Sequence, residues 1–254
     1  MDGVKDGVIE DPTRCKFDPS VLLCKDADGP ACLTAPQVKT AQLIYAGPKF
    51  ADGKQIFPSY EPGSELAWGV MAAGPAPAGI GDGFFKFMVF KDPNWDFRTL
   101  DVNRDTLKAD KDLGSIVNAI DPNLKPFRDH GGKIVMYHGW ADQLIAPENS
   151  INYYASVVAV MGGQDKTQQF LRLFMVPGMT HCQGGAGPDT FDALGAVEQW
   201  RENSIPPEKL IATHSTNGAV DNTRPLCPHP REAIYNGTGS TTDPANFTCG
   251  NPNW

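Results

Sequence analysis

Two short stretches in the second half of the chain are almost continuously apolar: KIVMYHGW, residues 133–140, and FLRLFMV, residues 170–176. Runs of this length, bounded by Gly and Pro, read as buried strands rather than helices. Between them PENSINYYASVVAVMG has the length and apolar spacing of a helix, stopped at Gly162 and Gly163. After them DTFDALGAVEQWREN predicts a second helix, with Phe191, Leu194, Val197 and Trp200 along one face. Strand, helix, strand, helix with short links predicts an α/β fold built on a parallel sheet with right-handed crossovers.

The first 125 residues have a different texture, with Pro and Gly recurring in PGSE, AAGPAPAGIGDG and KDPNW. One helix is visible there, TAPQVKTAQLIYAG, with Thr34 as cap, Pro36 in the first turn, and Val38, Leu43 and Ile44 as an apolar stripe. The rest reads as irregular or short β, FFKFMVF (84–90) being its best strand candidate. The tail from about residue 214 is rich in Pro, Asn and Thr, and needs a clip to stay ordered. Cys227 and Cys249 could supply one. Two regions are therefore expected, 1–125 and 126–254.

Charge narrows the function. With 22 Lys and Arg against 30 Asp and Glu, the chain carries a formal charge of -8. It has no cationic surface for tracking phosphates, so no nucleic-acid partner is expected. No window of about 18 apolar residues occurs, so no membrane span is expected. Six cysteines at 15, 24, 32, 182, 227 and 249 lie mostly in polar loops without CxxC pairs, a usage that fits disulfides in an oxidising compartment. Yet MDGVKDGVIEDP has neither a basic n-region nor an apolar core, and is no signal peptide. The expectation that resolves this is a longer protein whose front part is missing here.

The chemistry gathers at strand ends. Asp142 follows the first strand, and His181, in VPGMTHCQGG, follows the second, 39 residues on. A carboxylate that holds an imidazole in one tautomer and stabilises its protonated form is two-thirds of a hydrolytic triad. Acid before base, each at a strand end, is also the order of α/β-hydrolases. The plainer alternative, Asp142 capping the next segment and His181 an ordinary loop residue, stays open on spacing alone. So does His138 with Asp142 and His181 as a metal-binding set. No G-x-S-x-G elbow exists, and Ser64, Ser115 and Ser240 all lack its flanks. At the start, DGVKDGVIEDP alternates Asp side chains with backbone carbonyls in a Gly-turned loop. That suits calcium, or equally a solvated acidic turn.

Taken together, HGWADQLIAP, VPGMTHC, the GGKIVMYHGW strand and PGSELAW closely resemble the tannase and feruloyl esterase family, over essentially the whole chain. The resemblance implies an incomplete α/β-hydrolase fold, its C-terminal strands and helices preceded by most of an inserted, loop-rich lid. It implies Asp142 as triad acid and His181 as general base, with the nucleophilic serine lying outside this chain. Calcium is implied as a structural cofactor, held by Asp2 and Asp6 side chains and by Val4 and Val8 carbonyls, with the family's first Asp falling before Met1. The disulfides implied are Cys24–Cys32 and Cys227–Cys249, leaving Cys15 and Cys182 without partners here. In the family the cysteine after the histidine bonds one beside the serine, and so ties base to nucleophile.

The expected function is that of a serine carboxylic-ester hydrolase acting on aromatic, phenolic acid esters, inactive as this chain alone and secreted or periplasmic when whole. Trp68 and the 84–90 aromatics are candidates to stack on a substrate ring, though such residues equally serve as core. Rival readings are a non-catalytic, calcium-stabilised module that binds aromatic ligands, and a different α/β-hydrolase. Oligomeric state is not legible.

Overall fold

The structure, a computed structural model, describes residues 3–72 and 75–251, with residue 72 described by its backbone alone. Strand β1 (Ile134–Gly139) and strand β2 (Leu171–Val176) pair in parallel, from Ile134 opposite Leu171 to Gly139 opposite Val176. The helix Glu148–Met161 connects them and ends at Gly162, whose φ of 91° is left-handed. The apolar runs therefore form the strand–helix–strand unit their pattern predicts, except that β1, expected to be buried, is mostly half-buried, with Tyr137 exposed.

Every residue of β2 is buried. Leu171, Leu173 and Met175 meet Trp140, Tyr154, Val157 and Met161 on one side of the pair. Phe174 and Val176 meet Met179, Leu210, Ala212 and Leu226 on the other. A strand covered on both faces has no polar side to show, which is why its sequence runs apolar instead of alternating. Its one charge, Arg172, is held by the Pro207 carbonyl at 2.7 Å and the Glu208 carboxylate at 2.9 Å, and lies over the Trp200 ring.

The second predicted helix forms as Ala193–Asn203, capped by Asp192, which accepts from Gly195 N at 2.7 Å. Its face differs from expectation. Leu194 is 68% exposed, and Phe191 precedes the helix and packs edge-on against Tyr137. The capped start puts Ala196 and Trp200, four residues apart, on the core side instead.

The N-terminal helix Ala35–Ala46 begins at Thr34 with a full capping box to Gln37. Val38 is buried, but Leu43 is exposed. FFKFMVF is not a strand: Phe84–Val89 is a π-helical turn. Its i→i+5 bond, Phe90 N to Phe85 O at 2.9 Å, puts Phe85 and Phe90 on one face, where both stack on Trp95. A strand would send residues five apart to opposite faces. A helix also runs over Val102–Val117, capped by Asp101, in a region read as irregular. Val102, Leu113, Ile116 and Val117 fall on one face of it, but Asp105 is its one buried residue.

The tail is more regular than its composition suggests. Strands β3 (Leu210–Thr216) and β4 (Ala219–Leu226) form a hairpin about Asn217 and Gly218, both at positive φ. Strands β5 (Glu232–Tyr235) and β6 (Phe247–Gly250) form another. A disulfide joins Cys227 to Cys249 there, and a second joins Cys24 to Cys32. The first residues pack on this tail: Asp6 pairs with Arg224, and Glu10 accepts from Ala233 N at 2.9 Å. No helix among the described residues is long and apolar enough to cross a membrane.

Candidate active site

Chain geometry brings two loops together at the carboxyl ends of β1 and β2. Gly139 ends β1 against the turn that follows β2. A Cβ on it would lie 2.8 Å from the Thr180 carbonyl oxygen and closer still to that of Met179. Without that atom the loops dock, Trp140 N donating to Val176 O at 2.9 Å and Ala141 N to Met179 O at 3.0 Å. The 177–187 loop then closes on itself, with Thr180 N on Gly184 O at 2.9 Å, Ala186 N on Gly178 O at 3.1 Å, and Gly184 N on the Asp189 carboxylate at 2.6 Å.

These loops bring Asp142 and His181 into contact. His181 Nδ1 lies 2.9 Å from Asp142 Oδ2. Asp142 is 4% exposed, whereas the His181 side chain is 38% exposed. A carboxylate accepts only, so the proton of this bond sits on His181 Nδ1 and leaves Nε2 as the ring's basic atom. The His181 backbone is tied as well, its N–H donating to Gln143 Oε1 at 3.3 Å. Asp142 Oδ1 accepts from Leu144 N at 2.7 Å and Ile145 N at 2.9 Å. Burial raises the Asp142 carboxyl, but hydrogen bonds from His138, Ile145, His181 and Leu144 more than offset it and hold it near 2. The arrangement is an ionised, oriented carboxylate behind a partly exposed imidazole.

His138, which the sequence left open as a metal ligand, is part of this contact, its Nε2 lying 3.2 Å from Asp142 Oδ2. Three further neighbours carried no signal in the sequence. Gln143 is buried beneath His181, Ser150 meets His138, and Tyr60 reaches from the first half of the chain to donate to Leu144 O at 3.4 Å. Burial, and then the Asp142 charge, raise the Tyr60 hydroxyl above its ordinary range. The Asp142, His138 and His181 contacts are hydrogen bonds converging on one oxygen, and no group of three or more His, Cys, Asp or Glu suited to a metal occurs among the described residues.

The other sequence candidates make contacts of their own. Trp68 donates to Ser64 Oγ at 2.9 Å and packs edge-on against Tyr45. Ser64 is buried and donates to Glu61 O at 2.6 Å. Among the described residues, no serine hydroxyl makes a hydrogen bond to His181. Cys15 is half-buried, Cys182 is exposed, and both are free thiols. Cys182 sits at a φ of 67°, a left-handed conformation that side chains other than Gly, Asn and Asp seldom adopt.

Asp2 lies outside the described residues. Gly3 and Gly7, at φ of 84° and 81°, turn the chain on either side of Val4 and Asp6. The Asp6 carboxylate is committed, one oxygen to Arg224 and the other to Val8 N at 3.1 Å. In this arrangement a guanidinium holds the Asp6 carboxylate that a dication would need.

Comparison with known proteins gives one answer. The family model described as tannase and feruloyl esterase matches residues 1–250. An uncharacterised esterase of Xanthomonas campestris is 38% identical over 98% of this chain and 51% of its own length. A probable feruloyl esterase B-2 of Aspergillus terreus is 34% identical over the same shares. Among solved structures, feruloyl esterase B of Aspergillus oryzae superposes with a TM-score of 0.89 at 30% identity, over 98% of this chain and 53% of that one. Tannin acyl hydrolase of Aspergillus niger, at 24% identity and a TM-score of 0.81 over 99% and 51%, shares the fold. The chain thus spans about half the length of the curated relatives it matches.

Proposed function

The chain belongs to the tannase and feruloyl esterase family, and from that premise we propose that it carries the acid and the base of a serine carboxylic-ester hydrolase acting on esters of phenolic or cinnamate-like aromatic acids. The single observation that carries this reading is the 2.9 Å bond between His181 Nδ1 and Asp142 Oδ2. With Nδ1 committed to the carboxylate, His181 Nε2 takes the proton of a serine hydroxyl as that oxygen attacks the ester carbonyl. It then returns the proton to the departing alcohol, and Asp142 stabilises the imidazolium in between. Water attacks the resulting acyl-serine by the same proton relay, releasing the acid. We also propose that the serine is presented by a segment other than residues 1–254, since no described hydroxyl meets His181. The substrate class rests on the names of the relatives, and a secreted or periplasmic location is supported by the two disulfides.

Two proteins test this: residues 1–254 alone, and the same chain extended by whatever in-frame coding sequence precedes it. Each is assayed with methyl ferulate and a p-nitrophenyl ester. Hydrolysis is expected only from a form that includes a G-x-S-x-G elbow, and is expected to vanish in His181→Ala. Turnover by residues 1–254 would overturn the external nucleophile, and turnover surviving His181→Ala would overturn the role of the base.

A further inference from the structure

The contact between His181 and Asp142 has a third member on the opposite side of the carboxylate. His138 is the penultimate residue of β1, on the same side of the strand as Ile134 and Met136, which pack against the cluster formed with the helix Glu148–Met161. On that side its ring meets Ser150 of the helix, with Nδ1 2.7 Å from Ser150 Oγ. At the other edge Nε2 lies 3.1 Å from Ile145 O and 3.2 Å from Asp142 Oδ2. The Ile145 carbonyl can only accept, so the proton on that edge belongs to Nε2. In the neutral ring Nδ1 is then an acceptor, and the Ser150 hydroxyl is its donor. Each polar atom of the imidazole is thus assigned.

We propose that His138 is a positioning residue for the hydrolytic pair: clamped between Ser150 and the Ile145 carbonyl, it donates from Nε2 to Asp142 Oδ2 and fixes the carboxylate on which His181 depends. The inference rests on the reading of Asp142 and His181 as acid and base.

The Asp142 carboxylate offers about four acceptor sites, and the structure fills each oxygen twice. Oδ1 takes the Leu144 and Ile145 amides of its own loop, and Oδ2 takes one imidazole from β1 and one from the loop after β2. Without His138, Oδ2 would have His181 as its only donor, and nothing on the β1 side would hold that oxygen. The charge consequence is equally direct. Of the hydrogen bonds that hold the Asp142 carboxyl near 2 against its burial, the one from His138 is the largest. A carboxylate already satisfied from one side remains ionised behind His181, so it orients the imidazole without taking its proton. Tyr60, on the Leu144 carbonyl, is the further titratable group at this loop.

The test uses residues 1–254 and follows the carboxyl carbon of Asp142 by NMR as pH falls, together with the low-field Nδ1–H proton of His181. In His138→Phe, which keeps an aromatic ring without the donor, the Asp142 midpoint is expected to rise by about one unit, a tenfold gain in proton affinity. His138→Gln, whose amide can reach the position of Nε2, is expected to restore much of the wild-type midpoint, a rescue that a packing role would not give. Should His138→Phe fail to fold, Ser150→Ala serves instead: release of the ring is expected to raise the midpoint by a smaller amount. An Asp142 midpoint unmoved in folded His138→Phe, or unmoved in Ser150→Ala where that variant stands in, overturns the proposal. Failure of the underlying pair looks different. In that case Asp142→Asn leaves the His181 Nδ1–H signal where it was, whatever His138 does.

Discussion

Gly139 lies so close to the Met179 carbonyl that the smallest side chain would overlap it, and through that approach β1 delivers Asp142 to the loop bearing His181. The obstacle is backbone, which cannot turn aside as a flexible side chain can. Gly139→Ala is therefore expected to lose stability at or above the upper end of the roughly 1–3 kcal/mol typical of overpacked sites. It should also weaken the Trp140 and Ala141 amide bonds to the second loop. Urea unfolding measures the first effect and amide hydrogen exchange at 140 and 141 the second. A wild-type midpoint would mean that the loops dock by other contacts.

Asp142 makes stability depend on acid. Its carboxyl is held near 2 rather than 3.8, so its contribution is present above about pH 4 and is lost as pH falls through 2. By linkage the shift is on the order of 2 kcal/mol. Asp142→Asn is expected to unfold more readily than wild type at pH 7, with the gap closing toward pH 2, as followed by chemical denaturation across that range. A gap that stays constant with pH would assign the loss to packing.

Strand β2, the helix before it and the positions of Asp142 and His181 were legible because burial of β2 on both faces leaves an unbroken apolar run, and strand ends then locate the loops; β1 is apolar in sequence too, yet only Gly139 of it is buried and Tyr137 is 45% exposed. His138 gave no such signal: a histidine closing an apolar strand looks the same whether it packs or bonds a carboxylate. Tyr60 reaches Leu144 across 84 residues of sequence, a meeting that only the folded chain creates. The β3–β4 hairpin was legible in principle, since Asn217-Gly218 between β-rich runs is a strong two-residue turn signal. Tail composition obscured it. FFKFMVF misled because a run of rings without punctuation has no period of its own, and Trp95 decides its winding from outside the run.

Cys227 and Cys249 close a 22-residue span that contains β5 and most of β6, and Cys227 is buried with Ala233 and Phe247. Cys24 and Cys32 close only eight residues in an exposed loop. Replacing Cys227 and Cys249 together with Ser is expected to cost roughly 3 kcal/mol or more, since loop closure and a buried apolar contact are both lost. The Cys24 and Cys32 pair should cost less. Thermal melts of the two double variants, without reductant, rank them, and the reverse order would place the tail's stability elsewhere.

Arg224 and any cation at the N-terminal loop compete for one carboxylate. Asp6 and Arg224 are each only 9% exposed, and Arg224 also lies 4.0 Å over the Phe247 ring. Arg224→Gln leaves Asp6 buried without its countercharge, a loss of about 3–5 kcal/mol by the usual cost of breaking such a pair. The same change frees the carboxylate for calcium. The melting point of Arg224→Gln is therefore expected to rise more on adding calcium, and to fall more on chelation, than that of wild type. Equal shifts in both proteins would show that Asp6 takes no part in cation binding.

Glu61 opposes Asp142 in sign. It is 6% exposed, and burial first, then the negative charges of Glu148 from the helix Glu148–Met161 and of Asp11 from the N-terminal segment, push its carboxyl up to about 7 from 4.5. An acid with a raised folded value favours the fold while protonated. Its contribution is full below about pH 4.5 and is lost as pH climbs through 7, on the order of 3 kcal/mol by linkage. Glu61→Gln keeps the shape and removes the charge. Its denaturation midpoint is expected to match wild type at pH 4 and to exceed it at pH 8. A lower midpoint at pH 8 would mean that the ionised carboxylate has a partner in solution that outweighs its two acidic neighbours.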